Sequence, residues 1–212
     1  MTITICGEEF ILAKERALFL PKQRLLAISD LHLGKSAHFR KAGLPVPSTI
    51  AHSDLQRLSS IIDRYAPKTL LINGDMFHHH LNSDVEDFYQ WKKNYQQLEF
   101  LLVKGNHDRL ADIHYQDLGI KVHEPSYCTD KLCFIHDSTQ CKEASLYPIS
   151  GHIHPGVTII GGAKQRLRFP CFYFGKEYAV LPAFSAFTGL FPIKPTKGDE
   201  IYAITPSKVV KV

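Results

Sequence analysis

This chain has no C-x-x-C pair, no apolar run of membrane length and no block of like charge, and each absence removes a class of protein. Its five cysteines, Cys6, Cys128, Cys133, Cys141 and Cys171, form an odd and unclustered set. Such a set predicts neither a disulfide framework nor a thiolate zinc site, and it fits a reducing cytoplasm. The stretch MTITICGEEFILAKERALFL is interrupted by Glu8, Glu9, Lys14, Glu15 and Arg16, so it is not expected to act as a signal peptide. With nothing near the roughly 20 apolar residues of a membrane span, no membrane partner is expected and a cytoplasmic location is. A formal charge of only +4 permits an anionic substrate but falls short of a dedicated nucleic-acid binder. Internal repeats, low-complexity tracts and linkers are also missing. Residues 1–212 are therefore expected to form one domain with a full core.

What is there alternates in texture. TITIC, EFILA and ALFLP read as short strands, and RLLAIS as a buried central strand ending at Asp30. A long loop is expected from Leu31 to Pro47. Ser48 is a plausible cap for a helix whose stripe is Ile50, Leu55, Leu58, Ile61 and Ile62, running to about Tyr65. Strand TLLIN follows. Ser83 with Glu86 resembles a capping box opening a helix to about Leu98. Strand FLLV, a short helix from about Arg109 to Asp117 and strand IKV complete this half. After Val122 the runs are β-type (SYCT, KLCFIH, VTIIG, RFPCFYF, EYAVLPAF, EIYAIT, KVVKV), with no clear long helix. Two facing sheets with helices outside is the economical α/β architecture.

Five of the apolar runs end on residues able to hold a metal ion: LLAISDLH, TLLINGD, FLLVKGNHD, LCFIHD and YPISGHIHP. In open α/β sheets, ligand sites form where loops leave the carboxyl ends of the strands, so distant residues can converge there. The candidate ligands are Asp30, His32, Asp75, Asn106, His136, His152 and His154. Taken singly, most have an ordinary explanation as strand-end turn residues. Asp30 with His32, and His152 with His154, stand two apart, as if presented together from extended segments. Asp75 follows Gly74, and its carboxylate can place one oxygen on each of two cations. Asn106 offers a neutral oxygen suited to hard or borderline divalent ions. His107 reads better as an acid/base group than as a ligand, with Asp108 available to orient its ring. Lys35, Arg40 and His78 are candidates for contacts to a substrate phosphate. His78 belongs to a histidine tract whose other members, His79 and His80, have no assigned role. Phe169, Phe172, Tyr173 and Phe174 read as strand core before they read as a base-stacking platform.

The order D-x-H, G-D, G-N-H-D, H, G-H-x-H resembles the calcineurin-like metallophosphoesterase superfamily from Leu25 to Pro155. GDMFHHH and GNHD depart from the GDxVDRG and GNHE of its Ser/Thr phosphatase branch. DLHLGKSAHFRKAGLPVPS, GDMFHH, GHIHP and LPAFSAFTG look like the ligase-associated DNA damage response endonuclease (PdeM) group. The departures from that group are His79, His80, Ser185 and Ala186. The resemblance implies a four-layer αββα sandwich of two mixed sheets. It implies one ion at Asp30, His32, Asp75 and His154, and another at Asp75, Asn106, His136 and His152. Asp75 would bridge the two, and His107 would occupy the family's catalytic histidine position.

The sequence reading is a phosphoesterase with two divalent ions, manganese first and iron or zinc as alternatives, that hydrolyses phosphodiesters through a metal-bridging hydroxide. The substrate class would include DNA, in a repair context; protein partners are not indicated. Two alternatives stand beside it. One is a small-molecule phosphoesterase for nucleotides or cyclic nucleotides, the other a non-catalytic scaffold, which would be expected to lose ligands that this chain keeps.

Overall fold

A computed structural model describes residues 1–35, 43, 49–77, 83–141, 145–162 and 165–212, without the side chains of 49–51 and 83. Arg40, His78, His79, His80 and Ser48 lie outside the described residues. The first sheet is built from β1 (Thr2–Ile5), β2 (Glu8–Ala13), β3 (Ala17–Leu20), β4 (Leu25–Ile28), β5 (Thr69–Asn73), β6 (Glu99–Val103) and β7 (Ile120–His123) in that order. β1 to β4 form an antiparallel meander, and β4 to β7 are parallel. The crossovers contain α1 (Thr49–Tyr65), α2 (Ser83–Lys92) and α3 (Asp112–Asp117).

The central strands read as unbroken apolar runs because both of their faces are buried. Leu26, Ile28, Leu70, Ile72, Phe100 and Leu102 pack against the helices. Their neighbours Leu25, Ala27, Leu71, Leu101 and Val103 turn the other way and meet the second sheet. On α1, Leu55, Leu58, Ile61 and Ile62 of the expected stripe are buried, while the side chain of Ile50 is outside the description. The α2 region differs from expectation. Its α-helix ends at Lys92 and continues as a 3-10 turn over Lys93–Tyr95. Trp91 and Tyr95 still pack against the core, so the apolar spacing persists where the helix does not.

The second sheet comprises β8 (Ser126–Cys128), β9 (Leu132–Ile135), β10 (Tyr147–Ser150), β11 (Pro155–Ile160), β12 (Arg166–Phe174), β13 (Ala179–Val180), β14 (Phe191–Pro192), β15 (Glu200–Ile204) and β16 (Val209–Lys211). Its pairing is mixed. β10 is parallel to β9 and β13, while β12 is antiparallel to β11, β13 and β15. Among the described residues the α-helices cover the first sheet alone, as the strand-only texture after Val122 foretells. No described helix is long and apolar enough to cross a membrane.

One disulfide is present, which is less than a framework. Register sets Cys128 directly opposite Cys133 on β8 and β9, and the two are bonded. Cys6, Cys141 and Cys171 remain as thiols.

Candidate metal centre

The loops after β4, β5 and β6 meet those after β9 and β10 at one edge of the sandwich. Backbone bonds tie them: Asp30 N donates to Gly74 O (3.1 Å), His32 N to Asp75 O (2.8 Å) and Gly151 N to His136 O (3.1 Å). Asp30, His32 and His154 form one group of potential ligands; Asp75, His136 and His152 form another. Within each group the ligand atoms lie within 4.8 Å of one another. Each group draws on both sheets. His32 Nε2 stands 3.4 Å from His154 Nε2, and His154 Nε2 stands 3.4 Å from Asp30 Oδ1. In the other group His136 Nε2 is 3.6 Å from Asp75 Oδ2, 3.1 Å from His152 Nδ1 and 3.1 Å from Asn106 Oδ1.

These side chains do not come from extended segments, which corrects the sequence reading. Asp30 (φ 53°), His32 (50°), Asp75 (50°), His152 (69°) and His154 (51°) are all left-handed. Residues with a Cβ seldom adopt this region, Asp, Asn and His less seldom than others. Strained backbone of this kind clusters at functional sites. Two glycines make the close approach feasible. A Cβ on Gly74, itself at φ 89°, would fall 1.8 Å from His136 Nδ1, and one on Gly151 would fall 1.7 Å from Ser29 Oγ.

Electrostatics favour ligand-ready protonation states. Burial pushes His32 down to about 3 against the opposing pull of Asp30, with Lys35 and neighbouring histidines adding to the shift. A neutral imidazole is the metal-binding form. Burial works against ionisation of Asp30, yet the hydrogen bond and charge of His154, with His136 and Ser29, hold it below the usual carboxylate range. Lys35 is half-buried; burial lowers it while the Asp30 and Asp75 charges resist, so its ammonium sits within electrostatic reach of both carboxylates.

Asp108 is not where the sequence reading puts it. Its Oδ1 accepts from Met76 N (2.9 Å), Phe77 N (3.1 Å) and Tyr115 Oη (3.4 Å), and its Oδ2 accepts from Gly105 N (3.0 Å). The carboxylate therefore locks the loop after β5 to the loop after β6 instead of orienting the His107 ring. Burial, with the Asp75 charge, raises Asp108 to about 6 against these donors. His107 donates its backbone N–H to Asp75 Oδ1 (2.9 Å), and its ring lies edge-on to His32 with centroids 5.7 Å apart. Of the proposed phosphate contacts, Lys35 is at the site, while Arg40 and His78 fall outside the described residues.

Sequence reasoning missed three supports. A cleft of about 300 Å³ beside the second group is lined by Lys104, Asp137 and Gln140 as well as Asn106, His136 and His152. Lys104, one residue before the GNHD segment, is bound to Asp112 and lies 3.9 Å from Glu124. Beneath the ligands, Asn73 Nδ2 donates to Ile135 O (3.2 Å) and Ile149 O (3.0 Å), tying β5 to both β9 and β10. Asn73 ends TLLIN one residue before Gly74, and a polar residue closing an apolar run is the signal that could have found it. The third support lies under Asp30. Ser185 N donates to Asp30 O (3.2 Å), and Arg16 Nη1 holds Ser185 O at 2.7 Å. Arg57, paired with Asp54 at 2.9 Å, binds Phe184 O.

Asn73→Leu is expected to leave two buried strand-end carbonyls without a donor, at a cost of about 2–4 kcal/mol. A urea midpoint displaced to lower concentration with unchanged slope would show it. A change below about 0.5 kcal/mol would mean that Asn73 does not hold the sheets together.

Two mixed sheets with clustered acid, imidazole and amide donors at one edge are the scaffold and site of a metal-dependent phosphoesterase. A model of the calcineurin-like phosphoesterases matches residues 23–185, and the chain belongs to that family. It is similar over 100% of its length to the nuclease MPE of Pseudomonas putida, covering 99% of that structure at 26% identity and a TM-score of 0.85. That full-length match agrees with the resemblance to the endonuclease (PdeM) group. A phosphoesterase from E. coli, Yfce, aligns over 89% of this chain and 97% of its own at 13% identity and a TM-score of 0.46, too remote to bear on function. No curated protein matches the chain.

Proposed function

We propose that this protein is a two-metal phosphodiesterase whose polymeric substrate is nucleic acid, with DNA in a repair context as its setting. The observation that carries the reading is the paired donor set: two compact groups, each completed from both sheets. Asp30, His32 and His154 would hold one ion, and Asn106, His136 and His152 the other, with Asp75 shared between them. The mixed oxygen and nitrogen donors fit manganese, iron or zinc. Two ions so held would supply Lewis acidity toward the phosphoryl oxygens and an acidified water as nucleophile. The chain's own residues do the rest. Buried Asp30 and Asp75 concentrate negative charge where cations are needed, and neutral His32 keeps its ring available. His107 stands at the rim to donate a proton to the leaving oxygen. Lys35 offers the one described ammonium positioned by the sequence motifs to meet a phosphate.

The charge near the site favours diesters. A monoester brings nearly two negative charges and a diester one, so a monoesterase needs more fixed cations. Among the described residues the cations near the donor groups are few: Lys104 is paired with Asp112, Arg109 is hydrogen-bonded to Asn106 O, and Lys35 lies within electrostatic reach of Asp30 and Asp75. The likeness to the nuclease of P. putida supports extending the diester to nucleic acid. With Mn²⁺ present, bis-p-nitrophenyl phosphate should therefore be cleaved faster than p-nitrophenyl phosphate. Activity on DNA should fall steeply with added salt. A preference for the monoester together with no DNA cleavage would reassign the protein to small phosphorylated metabolites.

A further inference from the structure

The weak overall charge conceals an uneven distribution. Residues 144–198 contain six of the 25 Lys and Arg and one of the 21 Asp and Glu, so this stretch carries +5 and the remainder of the chain −1. No acid at all occurs between Ala144 and Lys176. At the centre of the stretch β11 and β12 pair in register from Gly156↔Pro170 to Ile160↔Arg166, with β14 beside β11 only at Pro155 and Gly156, so that a two-stranded ribbon runs on from Val157.

The ribbon's direction follows from its pairings. β10 runs toward the metal edge, where Ser150 pairs with Val180 and Val180 with Tyr173. Reading β12 backward from Tyr173 therefore leads past that edge. β13 and β15 accompany β12 only from Cys171 to Phe174, so the preceding residues pair with β11 alone. β11 itself starts at Pro155, next to His154. The ribbon is thus an arm that leaves from the metal ligands and projects beyond them.

Directly opposed residues share a face. Arg166 with Ile160, and Arg168 with Thr158, lie on one face; Leu167 with Ile159, and Phe169 with Val157, lie on the other. Arg166 and Arg168 are exposed, and among the described residues neither joins an ion pair. At a strand rise of about 3.3 Å per residue, Arg168 stands roughly 13 Å and Arg166 roughly 20 Å along the strand from His154. At the foot of the opposite face, half-buried Phe169 lines a cavity of about 550 Å³ together with Lys14 and Arg57.

We propose that this arm is a nucleic-acid tracking surface, on which Arg166 and Arg168 bind backbone phosphates a few nucleotides away from the one at the metals. The proposal rests on the nucleic-acid reading given above and adds to it where the strand lies. Two guanidiniums on one face of a ribbon, unpaired among the described residues and in a stretch whose sequence has no acid from Ala144 to Lys176, match a row of phosphates. These distances place them beyond the phosphate held at the metals, where the neighbouring phosphates of a polymer would lie. The arm thus accounts for nucleic-acid binding by a chain with little net charge.

The test compares R166A/R168A and R166E/R168E with the wild type on bis-p-nitrophenyl phosphate and on a single-stranded DNA oligonucleotide, across a range of salt with Mn²⁺. The ratio of kcat/KM for the oligonucleotide to that for the small diester should fall about tenfold or more in R166A/R168A, and further in R166E/R168E. The slope of log(kcat/KM) for the oligonucleotide against log[salt] should become shallower by about 1.4 in R166A/R168A, as expected on losing two single-strand phosphate contacts. The small diester reports on the integrity of the fold and metal centre. If the variants cut the oligonucleotide as well as the wild type at every salt concentration, the arm has no such role, although the nucleic-acid reading stands. If the wild type turns over the small diester but no oligonucleotide, the nucleic-acid reading fails and takes the arm with it. Arginine-dependent cosedimentation with phosphatidylserine vesicles, with no oligonucleotide effect, would assign the arm to an anionic membrane instead and overturn the proposal.

Discussion

Asp75→Asn is expected to strip metal from both halves of the centre and to lower kcat/KM by about 10³-fold or more. The carboxylate is almost fully buried, with Oδ1 held by His107 N at 2.9 Å and Oδ2 3.6 Å from His136. An amide of the same size preserves the packing but removes the charge that two cations would share. Truncating one partner of a buried charge cluster generally costs several kcal/mol, and here the cost falls on the ions. Metal analysis of protein prepared without chelator is the direct measurement. Retention of one ion per chain would confine Asp75 to a single half and refute its bridging role.

His107→Ala should behave differently. Its ring stands beside His32 but belongs to neither compact donor group. Both ions should therefore remain, while turnover falls by roughly 10²–10⁴, the usual worth of a positioned acid or base. Because its backbone N–H also anchors Asp75, the variant tests the ring alone and leaves that anchor intact. A substrate with a better leaving group, which needs less protonation, should recover part of the loss. If His107→Ala loses metal as completely as Asp75→Asn, the assigned division of labour is wrong.

The legible part of this molecule is the part written in periodicity and strand-end chemistry. Leu25–Ile28, Thr69–Asn73 and Glu99–Val103 read as strands because both faces of the sheet are buried, and the candidate ligands Asp30, Asp75 and Asn106 follow them within a few residues. What escapes is conformation that no residue type announces. Nothing in D-x-H or H-x-H distinguishes an extended pair from two left-handed residues, since Asp and His tolerate both. Asp108 follows His107 in the chain, which suggests a partnership, but donors from the loop after β5 claim its oxygens, and that loop is far away in sequence. The Cys128–Cys133 bond depends on register, which odd counting does not reveal. Helix α2 stops short of Leu98 because a 3-10 turn can keep Tyr95 on the core as well as an α-helix can.

Each donor group takes residues from both sheets, and this makes an ion at the site a rivet between two halves of the molecule. Separating the sheets would break every coordination set at once, so ion affinity and resistance to unfolding are one linked quantity. Ligand that binds only the native state at a hundredfold above its Kd adds about 2.7 kcal/mol to stability. A substitution deep between the sheets, at Leu71 or Phe134 for instance, would then weaken metal retention without touching a ligand. Metal scarcity would act in the opposite direction, loosening the seam and exposing the chain to proteolysis. Cellular metal supply would in this way set how long the protein survives as well as how fast it works.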